Sequence, residues 1–198
     1  EAPIAQEALL KADFIVNSLD DDGARLSVQI LAARHLKPLL DLGSGIMLKP
    51  GTRDVVSMGG QAILYTPGNA CLVCQGLDPA TIVSRDIRVL QRQIGYIQGT
   101  DETPTSVVTI NSVVGGIASD IIMKYLTGFS AVPTWVAYDM LENKTLTMSF
   151  KRREDCPVCG ANGVEGLGTE TAVPLEAPCT PRRHFEIPLF EDTDDEEI

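Results

Sequence analysis

Two CxxC pairs, Cys71/Cys74 in CLVC and Cys156/Cys159 in CPVC, stand 81 residues apart and constrain the fold more than any other feature. Each pair presents two thiolates to one metal ion, and together they complete the tetrahedral four-sulfur shell that zinc prefers, with bonds of about 2.3 Å. The second lies in a turn-rich context, Asp155–Cys156–Pro157–Val158–Cys159–Gly160. The separation is longer than in a compact zinc ribbon, so the metal is expected to tie together distant parts of one domain. A closed shell leaves no position for substrate, which makes the expected zinc structural. The alternatives are two unrelated reduced turns, or a thioredoxin-like redox role, which needs only one pair at the start of a helix.

The 198 residues are enough for one domain or a little more, and a hydrophobic content of 44% supports a substantial core. A net charge of −11 argues against a nucleic-acid partner, which selects for a basic face. No apolar run approaches the roughly 18 residues of a membrane span, and no signal peptide opens the chain. Five cysteines, four in CxxC pairs and Cys179 left over, fit a reducing cytoplasm better than a secreted disulfide framework. In that compartment the sequon Asn143–Lys144–Thr145 carries no meaning.

Ala5–Lys11 reads as the end of a helix, and Asp13–Leu19 (DFIVNSL) as a strand buried on both faces. The acidic triplet Asp20–Asp21–Asp22 can cap a helix from about Gly23 to His35. Lys37–Pro38 ends that helix, and a second buried strand starts at Leu39–Leu42. Strand, helix and strand in about thirty residues form a βαβ unit and hence a parallel pair. Asp54–Ser57 and Gln61–Tyr65, separated by Met58–Gly59–Gly60, then look like an antiparallel hairpin leading to the first knuckle.

Residues Asp78–Gln93 are expected to be helical, with a polar loop over Gly95–Pro104. Pro104–Thr105–Ser106 starts the clearest helix, in which Val107, Ile110, Val114, Ile117, Ile121 and Tyr125 recur at spacings of three and four. Gly128 supplies its C-cap. Val108, Val113 and Ile122 fall off the stripe, so the helix is expected to be nearly encased. Thr134–Met140 and Thr145–Phe150 form a second hairpin around Glu142–Asn143. Residues 1–160 are read as one α/β unit with a mostly parallel, Rossmann-like partial sheet, antiparallel hairpins and the four-cysteine zinc site. Residues 161–198, rich in glycine, proline and acids, are read as a loosely ordered tail.

A doubly wound nucleotide-binding sheet opens with a strand, a glycine-rich turn and a helix. Gly163/Gly166/Gly168 has the wrong spacing and follows no strand, so the chain reads as entering an α/β fold partway through. Ligands of open α/β sheets bind beyond the carboxyl ends of parallel strands, and Asp20 falls at such an end. A carboxylate there can hold magnesium, which takes a few hard oxygens plus phosphates and water. The plainer alternative is that the three acids only cap the helix and complement its dipole.

In order, these pieces are a strand leading to Asp20–Asp21 and Arg25, a KPLLDLG segment and PGNACLVC. They continue with PTSVVTINSVVGGIASDIIMKYLTG, a WVAYDM hairpin and CPVCG. Together they resemble the C-terminal half of the ThiF/MoeB-type, ubiquitin-activating-like adenylyltransferases, over about Ala12 to Gly160. The resemblance implies MgATP-dependent adenylation of the C-terminal carboxylate of a ubiquitin-like or sulfur-carrier protein, or of a peptide. It implies a metal- and nucleotide-associated role for Asp20, a catalytic role for Arg25, and zinc ligation by Cys71, Cys74, Cys156 and Cys159. It also implies a homodimer, and a glycine-rich loop belonging to an N-terminal half that this chain lacks, so that the chain alone is expected to be inactive.

Two departures matter. The family commonly has Asn where this chain has Asp21, and thioester-forming members carry a cysteine in the crossover segment, here about Gln93–Pro104, which contains none. Cys179, near Arg182, Arg183 and His184, is read as a spare cytosolic thiol. Three functions remain open at this point: activation of a ubiquitin-like or sulfur-carrier protein, adenylation of a biosynthetic peptide, and a non-catalytic zinc-stapled scaffold.

Overall fold

The computed structural model describes residues 3–49, 52–77, 97–98 and 107–168. The expected helix over 78–93, most of the 95–104 loop and Cys179 lie outside the described residues. Helix α1 (Pro3–Lys11) leads into β1 (Ile15–Asn17), α2 (Asp22–Arg34) and β2 (Leu39–Leu48). Strand β1 pairs parallel with the start of β2, Ile15 opposite Leu39 and Asn17 opposite Asp41, which is the expected βαβ unit. Asp21 is the N-cap of α2, its carboxylate accepting from the Ala24 N–H at 2.8 Å. The helix stops at Arg34, and the chain turns through Leu36 at φ 54° before Pro38.

Strand β2 runs on into an antiparallel hairpin with β3 (Val55–Tyr65), and β4 (Ile97–Gln98) lies parallel to its far end. Strands β5 (Trp135–Asp139) and β6 (Lys144–Met148) form the expected second hairpin, added antiparallel to β3. The result is a mixed sheet in the order β1-β2-β3-β5-β6, with parallel ladders at β1–β2 and β2–β4 and antiparallel ones elsewhere. Met58–Gly59–Gly60, expected to be a turn, lies inside β3. The glycines are there for room. A Cβ on Gly60 would sit 2.5 Å from Val114 Cγ2 and 2.7 Å from the Gly43 carbonyl oxygen.

Both faces of the sheet are covered at its centre, so successive residues are buried on opposite sides. Leu40, Ala62, Leu64 and Val136 face α3 (Val108–Thr127), meeting its Ala118 and Ile121. Leu39, Ile63, Tyr65 and Trp135 face α2 and the cysteine knuckles. Burial of a side chain such as Ile121 contributes roughly 1.5–3 kcal/mol. Gly128 closes α3 in the left-handed conformation at φ 67°, as expected. Among the described residues the helix is not encased but covered on one side: Val108 is 73% and Leu126 68% exposed. Its expected Pro–Thr–Ser start lies outside the described residues.

Residues 161–168 pack against the body. Val164 is buried, Gly166 N–H donates to the Ala33 carbonyl at 3.0 Å, and Arg34 Nε donates to the Gly168 carbonyl at 2.7 Å. Among the described residues, no helix is long and apolar enough to cross a membrane.

Candidate functional site

Strand β3 delivers the chain to the first knuckle, and the β5–β6 hairpin delivers it to the second. Both land on the α2 face of the sheet. All four cysteines are buried there, with their sulfurs within 4.8 Å of one another. Cys71 Sγ lies 3.6 Å from Cys156 Sγ, and Cys74 Sγ 3.4 Å from Cys159 Sγ. A tetrahedron with bonds of about 2.3 Å has edges of about 3.8 Å, so the spacing fits a four-sulfur metal shell.

Local hydrogen bonds shape each turn: Gln75 N–H donates to the Cys71 carbonyl at 3.2 Å, and Gly160 N–H to the Cys156 carbonyl at 2.8 Å. Arg153 N–H points at Cys74 Sγ at 3.4 Å, a donor suited to a thiolate, and the Arg152 guanidinium donates to the Cys159 carbonyl. Packed this closely, the thiols cannot ionise alike. Hydrogen bonding with Cys156 raises Cys71 and Cys159 and lowers Cys74, while Cys156 is itself lowered through Cys159. A divalent cation held by Cys71, Cys74, Cys156 and Cys159 would relieve that crowding by taking the place of the thiol protons.

The carboxyl end of β1, with the stretch of β2 paired beside it, carries the second constellation. Asp20 sits exposed in the bend between β1 and α2, and the capping role belongs to its neighbour Asp21. Arg25, on the first turns of α2, reaches back to the sheet. Its Nε donates to Asp41 Oδ1 at 3.2 Å, one terminal nitrogen donates to Asp41 Oδ2, and the other donates to Asp22 at 2.9 Å. Asn17 Nδ2 completes the group, donating to Asp41 Oδ1 at 2.8 Å. Asp41 is fully buried, and Asn17 nearly so.

Burial opposes the charge on Arg25, but attraction from Asp41 and then Asp22 outweighs it and raises its pKa. Burial pushes Asp41 above the ordinary carboxylate range, and Arg25 and Asn17 pull it only part of the way back. A guanidinium stays protonated in any case. Removing one partner of such a buried pair typically costs about 3–5 kcal/mol. Asp41 and Asn17 had escaped the sequence reading. Their signal was a polar residue inside each of two apolar strand runs, DFIVNSL and PLLDLG.

From Arg25 a cavity of about 410 Å³ extends along the α2 face of the sheet, over Gly43, Gly45, Gln61 and Ala137 to the β5–β6 hairpin. Gly45 opens directly onto it, since a Cβ there would meet nothing within 4 Å. The structure thus brings the cysteines together as one cluster and places Arg25 at the cavity, with Asp20 outside its lining in the bend that precedes α2. The two constellations lie on the same face.

No protein-family model matches the chain, and no curated protein sequence matches it. Solved structures do. Escherichia coli MccB with MccA-N7isoASN superposes with a TM-score of 0.55 and 18% identity, over 81% of this chain and 45% of that one. E. coli MccB with ATP gives 0.53 and 18%, over 75% and 40%. The microcin C7 biosynthetic enzyme MccB with N-formylated MccA gives 0.53 and 19%, over 75% and 41%. The chain spans less than half the length of these proteins. At this identity the likeness is one of fold: over four fifths of its length, this chain is built as part of MccB is built.

Proposed function

We propose that this chain is part of an ATP-dependent enzyme that adenylates the C-terminal carboxylate of a peptide, or of a ubiquitin-like or sulfur-carrier protein. One observation carries the reading. Arg25 lines a cavity beside the carboxyl end of β1, and Asp20 lies in the bend just before α2, in a fold shared with a protein solved with ATP and with MccA. In the reaction, a carboxylate oxygen of the acceptor attacks the α-phosphorus and the α–β phosphoanhydride bond breaks. Pyrophosphate leaves with its magnesium.

Each residue has a defined task in that sequence. Asp20, exposed and free of the capping role, offers hard oxygens to the magnesium of the nucleotide. Arg25 supplies positive charge beside the transferring phosphorus. The cavity over Gly43 and Gly45 receives the end of the acceptor chain. The four cysteines would hold zinc, whose closed sulfur shell supplies structure and no chemistry.

Two further expectations belong to this proposal. The exposed side of α3, with Val108, Met123 and Leu126, offers apolar surface for a homodimer. A cytoplasmic setting suits four unbridged cysteines.

The test is exchange of radiolabelled pyrophosphate into ATP by the natural protein containing this chain. It would be assayed with small carrier proteins ending in Gly-Gly and with short peptides. Acceptor-dependent exchange is expected. No exchange with any acceptor would leave the zinc-stapled scaffold as the better reading, which the engagement of Arg25 by two carboxylates favours.

A further inference from the structure

We propose that Asp41 is a positioning residue. With Asn17 it fixes the Arg25 guanidinium at the edge of the cavity and acts on the reaction through Arg25. The inference rests on the adenylation reading.

The argument begins with the β1–β2 ladder. Ile15 and Leu39 face each other as an apolar pair inside the core. One pleat further along the same face, where the parallel ladder ends at the carboxyl end of β1, the pair becomes Asn17 and Asp41. Both remain buried there. Apolar residues would serve packing as well, since a buried ion pair is weak evidence for stability. The polar pair occurs at the place where ligands of such sheets bind. It is not needed to start α2, which Asp21 caps.

The guanidinium is gripped unequally. One edge, Nε and a terminal nitrogen, is held by Asp41, whose side chain is 0% exposed. The remaining nitrogen meets Asp22, whose side chain is 35% exposed. Water screens the outer contact and not the inner one. An anionic phosphate arriving from the cavity side therefore displaces Asp22, while Asp41 keeps the planar group in orientation. Without Asp41, Arg25 would swing with Asp22 toward solvent.

A double-mutant cycle in the natural protein tests this. Asp41→Asn is expected to lower kcat/KM for pyrophosphate exchange by about tenfold or more, Arg25→Gln to do likewise, and the double variant to fall no further than Arg25→Gln. Melting temperatures are read alongside. Exchange by folded Asp41→Asn at the parental rate, or strictly additive losses, overturns the proposal. Should Asp41→Asn not fold, Asn17→Ala keeps the ion pair and removes its support; a smaller loss, again absent in the Arg25→Gln background, upholds the proposal and no loss overturns it.

The Arg25 Nε–H signal in nuclear magnetic resonance gives a readout independent of activity. It should exchange slowly with solvent in the parent chain and rapidly in whichever of the two variants folds. Unchanged protection overturns the proposal even if the parent catalyses no exchange, an outcome that by itself would remove only the adenylation reading.

Discussion

Cys71 Sγ lies 3.6 Å from Cys156 Sγ across 85 residues of sequence. The cysteines are themselves members of the larger core cluster, with Leu39, Ile63, Tyr65 and Trp135. Metal loss should therefore loosen the α2 face of the sheet as a whole. Elemental analysis of reduced protein is expected to give one zinc per chain. Chelation, or Cys159→Ser, should lower the melting temperature and cost on the order of several kcal/mol. Acid should release the ion, because protons compete for the thiolates. Purified, folded protein without stoichiometric metal would contradict this.

Tyr65 and Glu165 give a second, asymmetric prediction. The buried Tyr65 hydroxyl donates to Glu165 at 2.8 Å, and Glu165 also accepts from Gly68 N–H at 3.1 Å. Glu165→Ala strands a buried hydroxyl and should cost about 1–3 kcal/mol, whereas Tyr65→Phe leaves Glu165 its other partners, Gly68 N–H and Arg152, and should cost about 1 kcal/mol. Urea unfolding of both variants decides the order.

The same tyrosine sets an alkaline limb. Burial first, and then Glu165, raises its pKa far above the ordinary value near 10. The unfolded chain releases that proton where the folded chain keeps it, so stability should fall as pH rises past about 10. Tyr65→Phe should remove this contribution, which unfolding curves measured at pH 9 to 11 would detect.

Two glycines on neighbouring strands should behave oppositely. Gly60→Ala drives a methyl into Val114 and the Gly43 carbonyl, for an expected loss of about 1–3 kcal/mol. Val114→Ala would relieve only part of it. Gly45→Leu projects into open space and should leave stability within about 0.5 kcal/mol. It should nevertheless reduce acceptor-dependent exchange by filling the cavity floor. Thermal unfolding separates the first pair, and acceptor titration tests the last.

Asp20 and Asp21 should separate capping from catalysis. Asp21→Ala removes the N-cap and is expected to cost about 1 kcal/mol. Asp20→Ala should leave stability unchanged and abolish exchange. Equal effects on both properties would refute the assignment.

Features that obey local rules were legible in the sequence: the CxxC pairs, capping of α2 by the acidic triplet, the βαβ unit, the turn at Asn143 and the Gly128 cap. What required the structure was set by tertiary neighbours. Gly59–Gly60 resembles a turn by composition, yet close approach of α3 and of β5 demands glycine inside a strand. Asp41 looked like one acid in an apolar run. Its significance emerges only when register sets it against Asn17 and packing brings Arg25 over both. The apolar periphery of α3 resembled a buried helix, because sequence alone does not say how many layers surround it.

With a cation among the four sulfurs, the stretch from Cys74 to Cys156 becomes a ring and not a string. Closing a ring costs little more when it is enlarged, about 0.6 kcal/mol for each doubling of its length. Segments inserted between the knuckles can therefore lengthen, shrink or be exchanged while both anchoring points stay fixed. The architecture gives a lineage latitude to remodel what the ring carries without rebuilding the frame that carries it.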